Sequence, residues 1–360
     1  GAFLYALTRA NRGAAAWNQP AGWAFAAAGL YLLASLPFSQ DPALSWRESR
    51  TLLEIMAGAF AIPVLFPTRA HLESALFYSA VALACVLGYD LVRLAVELGA
   101  ELPARAHSFQ PFILNHSNVA SMMAGAMALV FFYFGWTGRR RPWRAAGCAA
   151  GAVLGVAYLG LLGSRGPQLA FALTLAATGL LLIPRWPGKL LWAAAAAAAA
   201  VLLAAHIEHI NPRFAERSSM ATFSSRDTVW KHTWALARQR PWFGYGYGKR
   251  LFEKTYYSSQ PPPSPFHYPH QHQFWLNRLF ESGWTGLLLH AAAWLLLAAG
   301  LLRCTLAQPT FSGRLLPGAV GLILLFIHLY GLGDYPDHVV RMAQYWLVPV
   351  ALVLMRKPPP

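Results

Sequence analysis

The sequence predicts an all-α polytopic membrane protein, and three observations carry that prediction. Hydrophobic residues are 56% of the 360-residue chain and charged residues only 12%, about half of the roughly 25% usual in soluble domains. Mean hydropathy is +0.38, more apolar surface than a soluble chain of 39.5 kDa can hide. The apolar residues gather in runs of roughly 17–25, the length that crosses a bilayer as a helix. An ordinary cytosolic domain, disorder, collagen and a disulfide scaffold are excluded together. Cys85, Cys148 and Cys304 fall in or beside apolar segments, so no disulfide pair is indicated.

Taken in order, about ten runs read as spans: near 17–38, 52–66, 75–96, 113–134, 145–162, 168–183, 190–206, 274–302, 315–332 and 344–355. The run from Trp192 to Ala205 holds unbroken alanines at 193–200, small side chains that permit close helix packing. The chain opens on Gly1 with no legible signal peptide, so a preceding segment is expected. With the N-terminus inside, the cytoplasmic loops collect Arg9, Arg12, Arg69, Arg139–Arg141, Arg144, Arg185, Lys189, Arg303, Arg314, Arg356 and Lys357. The short outer loops hold only Arg47, Arg50, Arg105, Arg165 and Arg341. This bias follows the positive-inside rule and puts the long segment 207–273 outside. Three parts result: a helix bundle over 1–206, a large outer loop over 207–273, and C-terminal membrane helices over 274–360.

The formal net charge of +15 is shared between orienting loops and a site for an anionic substrate, and no nucleic-acid partner is expected. Long loops cross regardless of charge, so the basic excess of 207–273 is not a topology signal. Within it, Asp227–Gln239 has Trp230, Trp234 and Ala237 at helical spacing and reads as an amphipathic helix on the membrane face. Pro241 ends that helix. A glycine ladder at Gly244, Gly246 and Gly248 then makes a tight turn, and 261–265 is a stiff extended stretch.

Three groups of residues could carry chemistry. Gly163–Gln168 places Arg165 in a glycine-flanked outer turn, where a guanidinium fork suits phosphate; an arginine snorkelling to headgroups is the alternative. Arg226 opens the amphipathic helix, with Ser224 or Ser225 as cap, and a helix N-terminus attracts phosphate; a solvated cap is the bland reading. His267, His270 and His272 precede the next span. A metal site, a packing role and a general base near physiological pH all fit them. Without cysteines or neighbouring acids the metal reading is disfavoured. The outer acids Asp41, Glu48, Asp334 and Asp337 form no convincing cluster, and Asp90 and Arg93 read as a mutually satisfied intramembrane pair.

Four stretches resemble the O-antigen ligase and polymerase superfamily, the ligase in particular: Pro37–Arg50, Asn115–Asn118, Ser164-Arg165-Gly166, and the outer loop from Arg226 through Arg240–Gly248 to His270–Gly283. The last fits the pattern H-x-H-N-x-x-L-x-x-L-x-E-x-G at His270, His272, Leu276, Leu279, Glu281 and Gly283, and departs at Gln273. The resemblance implies about twelve spans, both termini cytoplasmic, and one large periplasmic loop carrying short helices, an architecture similar to GT-C glycosyltransferases. It implies glycan transfer at the periplasmic face of a bacterial inner membrane. The donor would be an undecaprenyl-diphosphate-linked O-antigen and the acceptor a hydroxyl of lipid A-core. Arg165 and Arg226 would hold the diphosphate and His272 would be the base. His270, Arg240, Arg47 and Arg50 would support them, with no cofactor, metal or ATP. A polymerase using the same donor, or a polyprenyl-lipid transporter, are the alternatives.

Overall fold

Long runs of alanine, leucine and phenylalanine satisfy their backbone polar groups internally only as helices, and helices are what form. The computed structural model describes residues 20–50, 68–99, 117–138, 140–162, 164–210, 221–264 and 267–334, with Glu54, Ala61, Leu65 and Pro111 between them. The helices are α1 (Pro20–Ser35), α2 (Pro42–Glu48), α3 (Arg69–Leu98), α4 (Ser117–Thr137), α5 (Pro142–Leu161), α6 (Arg165–Leu182), α7 (Trp186–Ile210), α8 (Ala221–Gln239), α9 (Lys249–Ser258), α10 (Phe274–Leu306) and α11 (Phe311–Gly331). No strand occurs among the described residues. Six helical segments there are long and apolar enough to cross a membrane: Pro20–Phe38, Ala70–Leu98, Ser117–Thr137, Pro142–Leu161, Phe274–Leu306 and Gly313–Gly331. The protein is an all-α, multi-pass membrane protein. The expected spans near 168–183 and 190–206 lie on α6 and α7, and those near 52–66 and 344–355 fall largely or wholly outside the described residues.

Two compact units divide the chain. One comprises Gly1–Arg69, Met220–Gly300 and Gly331–Pro360; the other comprises Ala70–Ser219 and Leu301–Tyr330. In the second unit α4 is buried along most of its length. Helix α5 approaches it through small residues: a side chain on Gly151 would strike the Phe131 ring at 2.6 Å, and one on Gly155 the Ala124 carbonyl at 2.7 Å. The acid–base pair expected on α3 forms, and each member has a second partner. Buried Asp90 accepts from the Tyr158 hydroxyl at 3.3 Å, while Arg93 stays 3.9 Å from it and turns to Glu97 at 2.6 Å. A half-exposed arginine gains more from a carboxylate one turn further on, toward water, than from one in the interior.

The first unit carries the segments 36–50 and 221–273, which lie outside the membrane-length helices apart from 36–38. Helix α8 starts at Ala221 and presents Val229, Thr233, Leu236 and Ala237 to the interior, at i, i+4, i+7 and i+8. Trp234, expected on the apolar stripe, is 43% exposed and meets Trp284 edge-on. Helix α9 is a short helix of the kind the resemblance implies, at a place the residue pattern does not mark. Its inner face is Leu251, Phe252, Thr255 and Tyr256, and Phe252 and Tyr256 join Val229, Leu236, Tyr245, Tyr268 and Phe280 in one hydrophobic cluster. Residues 40–48 dock here. Asp41 caps α2 through the Leu44 N–H and pairs with Lys254 at 2.7 Å; those contacts hold its carboxyl below the usual carboxylate range. Glu48 pairs with Arg250 at 3.6 Å, and Thr255 donates to the Gln40 side chain at 2.6 Å.

Helix α10 is broken at Gly283, with φ 65° and ψ −170°, a region essentially reserved for glycine. The break frees carbonyls that would have received N–H groups one turn on. The glycine ladder takes them: the Tyr245 N–H donates to Phe280 O at 2.8 Å and the Gly246 N–H to Glu281 O at 3.0 Å. The Trp284 N–H, also released, reaches Pro241 O at 2.6 Å. Buried Glu281 then accepts the Gly248 N–H at 3.2 Å and the Arg278 guanidinium at 2.7 Å. The turn and the start of α10 thus form one piece, and the histidines sit immediately before it.

Candidate active site

Helix α10 begins at Phe274, and Gln273 caps it: its side-chain oxygen accepts the Leu276 N–H and its carbonyl the Asn277 N–H at 2.9 Å. A shorter amide would cap the same way, so the departure from asparagine leaves the histidine register intact. Just upstream, the Trp230 indole N–H donates to Gln271 O at 2.8 Å, and the Tyr268 N–H to the Tyr257 hydroxyl at 2.7 Å. These contacts hold His272 at φ 52°, an uncommon left-handed conformation for a residue other than glycine that persists only where surroundings enforce it.

His270 and His272 converge on Asp334, which follows α11. His270 Nε2 lies 3.4 Å and His272 Nδ1 3.2 Å from the same oxygen, Oδ1. The two rings are 4.0 Å apart. Burial alone would raise the Asp334 pKa, but hydrogen bonds and charge from both imidazoles outweigh it and hold the carboxyl well below the usual range. An ionised carboxylate can only accept, so each ring bonds to it through a protonated nitrogen. A neutral His272 is therefore left with Nε2 as a proton acceptor. The Arg226 guanidinium donates to the Gly333 carbonyl, one residue from Asp334. Arg226 lies more than a turn inside α8, not at its mouth, so Ser224 and Ser225 are helical residues rather than caps.

His267 stands apart: exposed, stacked on Tyr257 and 2.7 Å from Glu253. The expectation that no acid lies near the histidines is corrected, since Asp334 takes the third place. It is 62 positions from His272 in the chain, and the signal available in the sequence was an acid just beyond an apolar span. Asp337 and Arg341 lie outside the described residues. Arg240 is engaged elsewhere, donating to Phe38 O at 3.3 Å and lying 5.2 Å over the Tyr245 ring. Arg47 and Arg50 are exposed at the end of α2, and no described hydrogen bond or ion pair ties Arg47, Arg50 or Arg240 to the histidines.

Arg165 belongs to the other unit, as the first residue of α6. The first N–H groups of a helix have no partners within it. Ser164, the capping residue, makes no side-chain cap. Its hydroxyl is buried with no hydrogen-bond partner among the described residues, which an anion at the helix mouth would supply. Gln168 donates to Leu159 O and Gly160 O, both at 3.2 Å, tying this turn to the end of α5.

Residues 150–291 match the family model described as O-antigen ligase. That match supports membership of the O-antigen ligase and polymerase superfamily. No curated protein matches the chain. The matched segment contains Arg165, Arg226, His270 and His272, and Asp334 lies beyond it. The family match supports a function of the O-antigen ligase or polymerase type and suggests an enzyme of the glycosyltransferase or ligase kind.

Proposed function

We propose that the chain is an O-antigen ligase of a bacterial inner membrane. It moves O-antigen from undecaprenyl diphosphate to a hydroxyl of lipid A-core at the periplasmic face, where segment 207–273 forms the outer loop. The observation that carries this reading is the His272–Asp334 pair beside Arg226, in a chain whose matched segment carries both His272 and Arg226. His272 Nε2 takes the acceptor hydroxyl proton, the oxygen attacks the anomeric carbon, and the bond to the diphosphate oxygen breaks with inversion. Undecaprenyl diphosphate leaves with that bonding pair, so the donor itself supplies the driving force. Asp334 orients the ring and stabilises the imidazolium formed. Arg226 stabilises charge as the diphosphate departs; Arg165, with Ser164 at the mouth of α6, is a second anion-binding group. No step calls on a metal ion or ATP.

The test is reconstitution of the full chain in vesicles with purified donor and lipid A-core, in EDTA and without ATP. Product on lipid A-core is expected. Donor chains that lengthen instead make the protein a polymerase, and transfer that needs a divalent ion removes the metal-independent step. Arg165→Ala should abolish most transfer and Arg165→Lys restore part of it, because a point charge cannot reproduce the fork. Wild-type turnover in Arg165→Ala would return that arginine to lipid headgroups.

A further inference from the structure

We infer that His270 Nε2, His272 Nδ1 and Asp334 Oδ1 form a binding site for a tetrahedral transition-metal ion such as zinc, and that filling it switches transfer off. The three atoms lie within 4.8 Å of one another, brought together by the stretch before α10 and the turn after α11. Zinc bonds to imidazole and carboxylate run about 2.0–2.2 Å, so the edge of a tetrahedral site is about 3.3–3.5 Å. The His270–Asp334 and His272–Asp334 separations of 3.4 and 3.2 Å are close to that edge, and both are long for charge-assisted hydrogen bonds of about 2.7–2.9 Å. Two imidazoles with one carboxylate suit zinc, copper, nickel or cobalt and suit magnesium and calcium poorly. His270 and Asp334 are buried while the His272 side chain keeps 19% exposure, which leaves one open side for the ion and a fourth ligand.

Inhibition follows from the ring chemistry and rests on the reading of His272 as the base; metal binding does not. An ionised Asp334 can only accept, so a neutral His272 bonded to it through Nδ1 carries its proton there and accepts at Nε2. A metal ion on Nδ1 needs that lone pair, so the ring hydrogen moves through solvent to Nε2 and no net proton is lost. His272 Nε2 then cannot take the acceptor's proton. The ion also withdraws the Asp334 charge that would stabilise an imidazolium.

The experiment uses the full chain in detergent, stripped with EDTA and titrated with cobalt(II), followed by zinc competition and by transfer assays. A saturable visible band of tetrahedral cobalt, one ion per chain, displaced by zinc and unaffected by magnesium, is expected. Zinc should lower transfer by about 10²–10⁴-fold, the usual cost of losing a general base, and EDTA should restore it. His270→Gln and Asp334→Asn should lose the band. His267→Ala should keep it, since that ring is stacked on Tyr257 away from the cluster. No cobalt band in wild-type protein that transfers normally overturns the metal site and leaves the base reading standing. A band without loss of transfer overturns the switch and His272 as base together. A band that needs His267 overturns the ligand set.

Discussion

Replacing Asp334 by asparagine isolates what the carboxylate does for His272, because the amide keeps the shape and removes the charge. In the native protein one oxygen accepts from both rings, at 3.4 and 3.2 Å. A hydrogen bond to a charged group contributes about 1.5–3 kcal/mol, and these distances put each bond near the lower figure. If only the His272 bond is expressed in the transition state, about 1.5 kcal/mol is lost and the rate falls about tenfold. If His270 also acts through the carboxylate, the loss doubles to about 3 kcal/mol and the rate falls about 150-fold. The expected range is therefore below the 10²–10⁴-fold of His272→Ala, or overlaps only its lower end. Single-turnover transfer of a labelled donor measures the chemical step, and donor binding is read separately in the same vesicles. Turnover should fall while donor affinity holds, because Arg165 and Arg226, the residues proposed to bind the donor, are untouched. A folded Asp334→Asn protein with wild-type turnover would refute the claim that the carboxylate orients the base.

Gly283→Ala should destabilise the first unit by about 2–6 kcal/mol, combining backbone strain of about 1–3 with overpacking of about 1–3, since the added carbon lies 2.5 Å from Pro241 O. Gly147→Ala in α5, where a side chain meets nothing within 4 Å, is the comparison and should be neutral or slightly stabilising by thermal denaturation. His232 has its pKa lowered by burial from 6.5, so the unfolded chain binds the proton more readily. Its contribution to stability is then complete above about pH 6.5 and lost as pH falls through the lower folded value; His232→Gln should flatten that acid limb in denaturation curves, and an unchanged limb would assign the slope to other groups.

The membrane class and most helix positions were legible because a bilayer imposes a length and a composition on each segment separately. Ser164-Arg165-Gly166 and His270–Gly283 were likewise legible as strings, since each motif is contiguous. What was missed has a different character. Helix α9 is short, and its inward residues Leu251, Phe252, Thr255 and Tyr256 make only one and a half turns of pattern. The burial of Thr233 in place of Trp234 turned on which side the Tyr245–Tyr256 cluster occupies. Ser224 and Ser225 are good caps, which places Arg226 at a helix start in the sequence, yet the helix has already begun by Ala221.

By itself, then, the sequence determined that the chain crosses a membrane in helices, and which arginines and histidines lie between the long apolar runs. Only the tertiary structure decided that Asp334 faces His270 and His272, that Asp41 and Glu48 are tied to Lys254 and Arg250, and that Gly283 hands its released carbonyls to the glycine ladder. The physical reason is range. Hydropathy and capping act within a turn or a span of contiguous chain. A carboxylate's partner is set by whichever groups share its low-dielectric surroundings, and here those groups arrive from 62 and 64 positions away.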